Sequence, residues 1–149
     1  AYSNKEDFKG SEALYNYSSS VSYVVSFFGP ADLYTASNSS EEHTIKSEIQ
    51  YFMGSLFEDE ASLKEASPIN YIKASSPKTL IVHSLEDKVI PIAYSKDLYR
   101  KAQDLKANFE LITLKGSEHN FSDANAIEVL KLLKQVFEFI GEDSSRYDY

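Results

Sequence analysis

Neither cysteine nor tryptophan occurs anywhere in the 149 residues. The missing cysteine excludes disulfides, thiolate metal ligands and a cysteine nucleophile together. It leaves the compartment open, since secreted chains also do without it. Cations are scarce as well, with 15 Lys and Arg against 23 Asp and Glu, a net charge of −8. That balance argues against a nucleic-acid partner, because phosphate binding draws most of its affinity from Lys and Arg. No apolar run approaches the roughly 20 residues that a membrane-spanning helix needs. None of the five glycines, Gly10, Gly29, Gly54, Gly116 and Gly141, belongs to a phosphate-cradling loop. The only methionine is Met53, and residue 1 is Ala. The natural start is therefore expected upstream of residue 1, where any signal peptide would also lie.

What is present is ordinary globular material, 42% hydrophobic and 26% charged, which suits one domain. A chain of this size buries about two thirds of its unfolded surface. Three stretches read as buried strands: Val21–Phe28, stopped by Gly29-Pro30; Thr79–His83, introduced by Pro77; and Phe109–Leu114. The first shows little alternation, as expected where helices cover both faces of a parallel sheet. Ile45, Ile49, Phe52, Met53 and Leu56 recur at helical spacing and predict a helix over Glu41–Phe57, its N-cap supplied by Ser37–Ser40. A short acidic helix is expected at Ala61–Ala66. A longer one follows at Ile92–Leu105, with Ser95, Leu98, Tyr99, Ala102 and Leu105 inward. The closing helix spans Ala124–Ile140, with Ile127, Leu130, Leu133, Phe137 and Ile140 on its apolar stripe. Residues 1–20 read as a connecting or frayed segment, 21–141 as the domain and 142–149 as a polar tail. The fold class is α/β, with parallel strands joined by helical crossovers in sequential order.

Two residues stand where such a sheet keeps its chemistry. Asp87 lies in the turn Glu86-Asp87-Lys88, just past the strand Thr79–His83, and His119 lies in GSEHNF, just past Phe109–Leu114. A carboxylate that orients an imidazole, and an imidazole that takes a nucleophile's proton, form the acid–base half of a serine hydrolase. Plainer readings compete. An Asp in a turn is commonplace. Glu86 is a rival acid, although a solvated turn carboxylate is its simpler role. His83, Asp87 and His119 together suggest metal ligands, but no recognisable ligand motif joins them, and no metal or cofactor is expected. His83 is expected instead to pack beneath the Asp turn and hydrogen-bond locally. A Glu86/Asp87 glycosidase pair fits badly, because such carboxylates flank the sugar about 5–10 Å apart. Asp32 reads as an Asx-type turn after a strand, and His43 as a surface residue. Tyr51, Phe52 and Met53 read either as part of a lid helix or as a core-facing stripe.

HSLEDKVIP followed by GSEHNF resembles the C-terminal part of an α/β hydrolase of the esterase/lipase, acetyl-xylan-esterase-like kind. That family carries His-Gly-x-x-Asp-x-x-Val-Pro, then a helix, a strand and a Gly-x-x-His-x-Phe loop. Here Ser84 takes the place where Gly is usual, and Ile90 separates Val89 from Pro91. FFGPADLY resembles the segment after the family's sixth strand, and Ala66–Ile72, ASPINYI, resembles the segment before its seventh. The resemblance implies the C-terminal half of an α/β-hydrolase fold, with Asp87 orienting His119 as general base toward a small ester substrate. It also implies that the serine nucleophile and the oxyanion hole lie on an N-terminal segment. No Gly-x-Ser-x-Gly elbow and no His-Gly-Gly segment occurs in the chain, so these residues alone are expected to be inactive. Two function classes follow. One is an enzyme part, esterase, lipase or a peptidase of the same superfamily; the other is a non-catalytic remnant used for binding or assembly. With the nucleophile's half absent, Val21–Phe28 becomes a sheet edge, and self-association through it is expected.

Overall fold

A computed structural model describes residues 17, 18, 20–39, 43–116, 118–121 and 124–141. The expectations for residues 1–16 and 142–149, for the helix start at Glu41 and Glu42 with its cap at Ser40, and for the side chain of His43, lie outside what is described. At the centre stands β2, Lys78–Ser84, in which Leu80, Ile81, Val82, His83 and Ser84 are each at most 1% exposed. Full burial of an aliphatic side chain contributes about 1.5–3 kcal/mol, so the TLIV run anchors the sheet. β1, Tyr23–Phe27, and β3, Phe109–Leu114, pair with β2 on either side, both parallel to it, in the order β1-β2-β3. Tyr23 lies opposite Lys78, and Thr79 opposite Phe109. The sequential parallel order read from the sequence is the one observed.

The two sheet faces take different covers. Leu80 and Val82 share one face with Tyr23, Val25, Ile112 and Leu114 beneath α5, Ala126–Gly141. Ile81 points to the other face, against Leu98 of α4, Ile92–Asp104, and against Ile69 and Ile72. This alternation is the strand period of two at work. A third apolar cluster sits above the C-terminal ends of the strands. It gathers Leu33 and Ala36 of α1 (Leu33–Ser37), Ile45 and Ile49 of α2 (His43–Met53), Leu63 of α3 (Glu60–Ala66), and Phe57 and Ile90.

Several expectations are corrected. β1 is shorter than Val21–Phe28 and only half-buried, with Phe27 41% exposed. Among the described residues it has a neighbour on one side only, so an apolar sequence here does not mean two covered faces. α1 was not expected. Asp32 does accept locally, from the Thr35 N–H at 3.0 Å and the Thr35 hydroxyl at 2.8 Å, but as the N-cap of a helix rather than as an isolated turn. α2 ends at Met53 because Gly54, at φ 57°, turns the chain into the left-handed region and a short 3-10 turn follows. Leu56 consequently leaves the predicted stripe and is exposed, and Leu105, expected inward on α4, is exposed as well. α5 buries Leu132, Val136 and Phe139, whereas the predicted stripe, Ile127, Leu130, Leu133, Phe137 and Ile140, faces away from the sheet and is exposed.

Candidate active site

Because β2 and β3 are parallel neighbours, the loops that follow them leave the same edge of the sheet. Asp87 sits in the first loop with its side chain fully buried, and its two oxygens have different tasks. Oδ1 accepts the backbone N–H groups of Val89 (2.9 Å) and Ile90 (2.8 Å), an Asx-type turn that leads into α4. Oδ2 accepts from Nδ1 of His119 at 2.9 Å. The two residues singled out from the sequence are therefore in direct contact. This bond puts the proton of a neutral His119 on Nδ1 and leaves Nε2 as the basic nitrogen. About a third of the His119 side chain is exposed.

Three successive residues of the Asp turn hold the His loop. Besides the Asp87–His119 bond, Glu86 Oε2 accepts the Gly116 N–H at 3.2 Å, and Lys88 Nζ pairs with Glu118 Oε1 at 2.6 Å. Gly116, at φ 68°, adopts the left-handed conformation that brings its N–H into this contact. Glu86 is the exposed turn carboxylate expected of it, with a structural task besides. It stays exposed, yet Ser84 braces it from below, its Oγ accepting the Glu86 N–H at 3.1 Å and donating to Oε2 at 3.3 Å. Ser84, standing where the resembling family has glycine, is fully buried in that brace.

His83 lies beneath the turn, fully buried, as expected from the sequence. Its Nε2 is 2.7 Å from the Ile90 carbonyl oxygen and its Nδ1 2.7 Å from Ser95 Oγ. Among the described residues no group of three or more His, Cys, Asp or Glu side chains is arranged to hold a metal ion.

Sequence reasoning missed Phe28. Its ring centroid lies 5.7 Å from those of His83 and His119 and 5.1 Å from that of Phe121, so it packs against both imidazoles. It reaches that position at φ 53°, in a region that disfavours side chains. Its N–H still donates to the Val82 carbonyl, so the turn begins only after the last ladder bond. The Gly29-Pro30 pair signalled a turn here but not which residue would carry the strain. Ser95 gave no signal at all, because a buried serine in a helix looks like any small inner-face residue.

His119 opens onto a cavity of about 670 Å³ with a largely apolar lining that includes Pro30, Leu33, Ile49, Phe52 and Ile90. Of the three residues expected on a lid or a core-facing stripe, Met53 packs against the core and Tyr51 is exposed. Ile45 and Ile49 join the core, while Phe52, 75% exposed, reaches the cavity wall. Ser67, fully buried, ties the wall together: its Oγ accepts from the Leu33 N–H at 2.9 Å and donates to the Leu63 carbonyl at 2.7 Å. Among the described residues no helix is long and apolar enough to cross a membrane.

Three named proteins are similar to this chain, one in sequence and two in structure. The Mycobacterium tuberculosis esterase LipQ is 27% identical over 124 residues, covering 81% of this chain and 29% of LipQ. A truncated carbohydrate esterase from gut microbiota is 25% identical with a TM-score of 0.64, covering 82% of this chain and 44% of that one. A puromycin-hydrolyzing peptidase of Mycobacterium tuberculosis is 25% identical with a TM-score of 0.68, covering 80% and 18%. The chain thus spans less than half the length of each. Its parallel sheet with covering helices is part of an α/β-hydrolase fold. The BD-FAE family model matches residues 1–102, taking in Asp87 and stopping short of His119, and with more than half of its length matched the chain belongs to the BD-FAE family.

Proposed function

We propose that this chain is the acid–base half of a serine carboxylic-ester hydrolase. Asp87 orients His119, and His119 acts as general base, taking the proton of a serine that lies outside these 149 residues together with the oxyanion hole. The observation that carries the reading is the 2.9 Å bond from His119 Nδ1 to a fully buried carboxylate, with the same imidazole lining an apolar cavity. Buried in this way, the carboxylate fixes the tautomer and stabilises the imidazolium that forms as the proton moves. The family supports hydrolysis of a small ester. A peptidase of the same superfamily is the second reading, supported by the likeness to the puromycin-hydrolyzing enzyme.

The test uses the longer protein that carries a Gly-x-Ser-x-Gly segment ahead of residue 1, assayed on nitrophenyl esters and on nitroanilides of amino acids. Ester turnover that is lost in His119→Ala supports the reading. Turnover that survives both His119→Ala and Asp87→Asn rejects it, and turnover of the anilides alone selects the peptidase. The chain without that segment is expected to show no enzymatic turnover, since loss of a nucleophilic serine costs about a millionfold in kcat in a well-studied protease. We further propose that the isolated chain self-associates through β1, which among the described residues has a strand neighbour on one side only.

A further inference from the structure

We propose that His83 is a positioning residue for Asp87, held as the neutral Nε2–H tautomer by Ser95 and Ile90, and that it aims the carboxylate at His119. Its Nε2 is 2.7 Å from the Ile90 carbonyl oxygen, which can only accept, so that nitrogen must carry a proton. Nδ1 is 2.7 Å from Ser95 Oγ, and in the neutral ring it accepts the serine hydroxyl proton. The Nε2–H also faces Asp87 Oδ2 at 3.2 Å, while Oδ2 takes its closer bond, 2.9 Å, from His119 Nδ1. A fully buried carboxylate is thus surrounded by four N–H groups, from Val89, Ile90, His83 and His119.

The arrangement is directional. Oδ1 is held by the turn's own backbone, which leaves rotation of the carboxylate about that anchor as its remaining freedom. The His83 ring lies under Oδ2 and cannot move, being fully buried, fixed at both nitrogens and packed edge-on against Phe28. The opposite tautomer would turn the Nε2 lone pair toward both the Ile90 carbonyl and Oδ2. The Ile90 carbonyl would then lose this donor in a buried site, and the lone pair would face a carboxylate oxygen that only His119 serves, which is costly. Ser95, one turn into α4, therefore sets the polarity of a short relay running from Ser95 through His83 and Asp87 to His119.

The role rests on the proposed function of Asp87 and His119, but its first test does not need activity. In the nitrogen-15-labelled chain, imidazole spectra near neutral pH should show His83 protonated at Nε2 only and neutral His119 protonated at Nδ1. His83→Gln, whose amide N–H can replace Nε2–H, should keep the His119 Nδ1–H signal. His83→Leu should shift His119 toward the mixed tautomers of a free imidazole while the amide spectrum stays folded. An Nδ1–H tautomer at His83 in the unmodified chain would overturn the proposal, whether or not any variant folds. So would a folded His83→Leu variant with His119 unchanged. In the longer protein His83→Leu should lower kcat by about tenfold or more, by analogy with the loss of an outer partner that orients a metal-binding side chain, with KM little changed and Gln restoring the rate. If Asp87→Asn and His119→Ala leave turnover intact, the catalytic reading fails, while the imidazole spectra still decide the role of His83.

Discussion

Residue by residue, the site is built from backbone constraints as much as from its two titratable groups. Asp87 is both the end of a turn and the partner of His119, so its substitutions should separate the two roles. Asp87→Asn retains an oxygen for the Val89 and Ile90 N–H groups; in the longer protein it should cut kcat by roughly ten-thousandfold, by offering His119 the wrong partner. Asp87→Ala leaves those buried donors without an acceptor and should also destabilise the isolated chain by roughly 2–4 kcal/mol in urea unfolding. Phe28 offers an inverted comparison. Glycine is ordinarily less stable than alanine, but at φ 53° the alanine retains a penalty of about 1–2 kcal/mol that glycine escapes. Both lose the ring, so Phe28→Gly should unfold at a higher urea concentration than Phe28→Ala. The reverse order would show that the strain is not there. Asp87 and His119 were legible because chemistry in an open parallel sheet collects beyond the strand ends. Phe28 was not, since a residue's dihedral is invisible in a run of apolar letters.

At the scale of elements, β2 and β3 could be read almost to the residue, because a β-branched run bounded by Pro77 or a polar loop has few other solutions. The helices were harder. α5 is apolar on more than one side, with Val129, Leu132, Val136 and Phe139 on one face and Ile127, Leu130, Leu133, Phe137 and Ile140 on another. Periodicity finds both stripes, and only the sheet decides which is buried. α2 illustrates a second limit. Its spacing ran on past Gly54, where the backbone turns, and the same pattern joined two buried core residues, Ile45 and Ile49, to the exposed Phe52. Ile49, 3% exposed, should cost roughly 2–4 kcal/mol as Ile49→Ala. Phe52→Ala, at a position 75% exposed, should change stability by less than about 0.5 kcal/mol. In the longer protein it should instead alter the rate ratio between short and bulky nitrophenyl esters, because Phe52 lines the cavity beside His119. An unchanged ratio would remove α2 from substrate selection.

For the molecule as a whole, the question is what covers β1. Among the described residues β1 has one strand neighbour, and a sheet edge can pair with another chain, which is why natural edges are usually guarded by Lys, Pro or bulges. Between Val21 and Phe28 there is neither Lys nor Pro. The helix packed on this strand, through the contact of Phe139 with Tyr23, carries its own exposed apolar stripe, with Leu130 and Phe137 the most exposed at 65% and 71%. Isolated exposed apolar residues are unremarkable, but five on one helix form a patch of the kind that marks an interface. Size-exclusion chromatography with light scattering should therefore find the isolated chain above its monomer mass of 16.8 kDa, with the dimer fraction rising with concentration. Phe27→Lys and Phe137→Lys divide the cause. If strand pairing drives association, the lysine at Phe27 should return the chain to monomer and abolish the concentration-dependent amide protection of Tyr23–Phe27. If only Phe137→Lys does so, the helix stripe is the interface and the edge is not. A clean monomer of the unmodified chain at tens of micromolar, with those strand amides exchanging freely, would contradict self-association by either route.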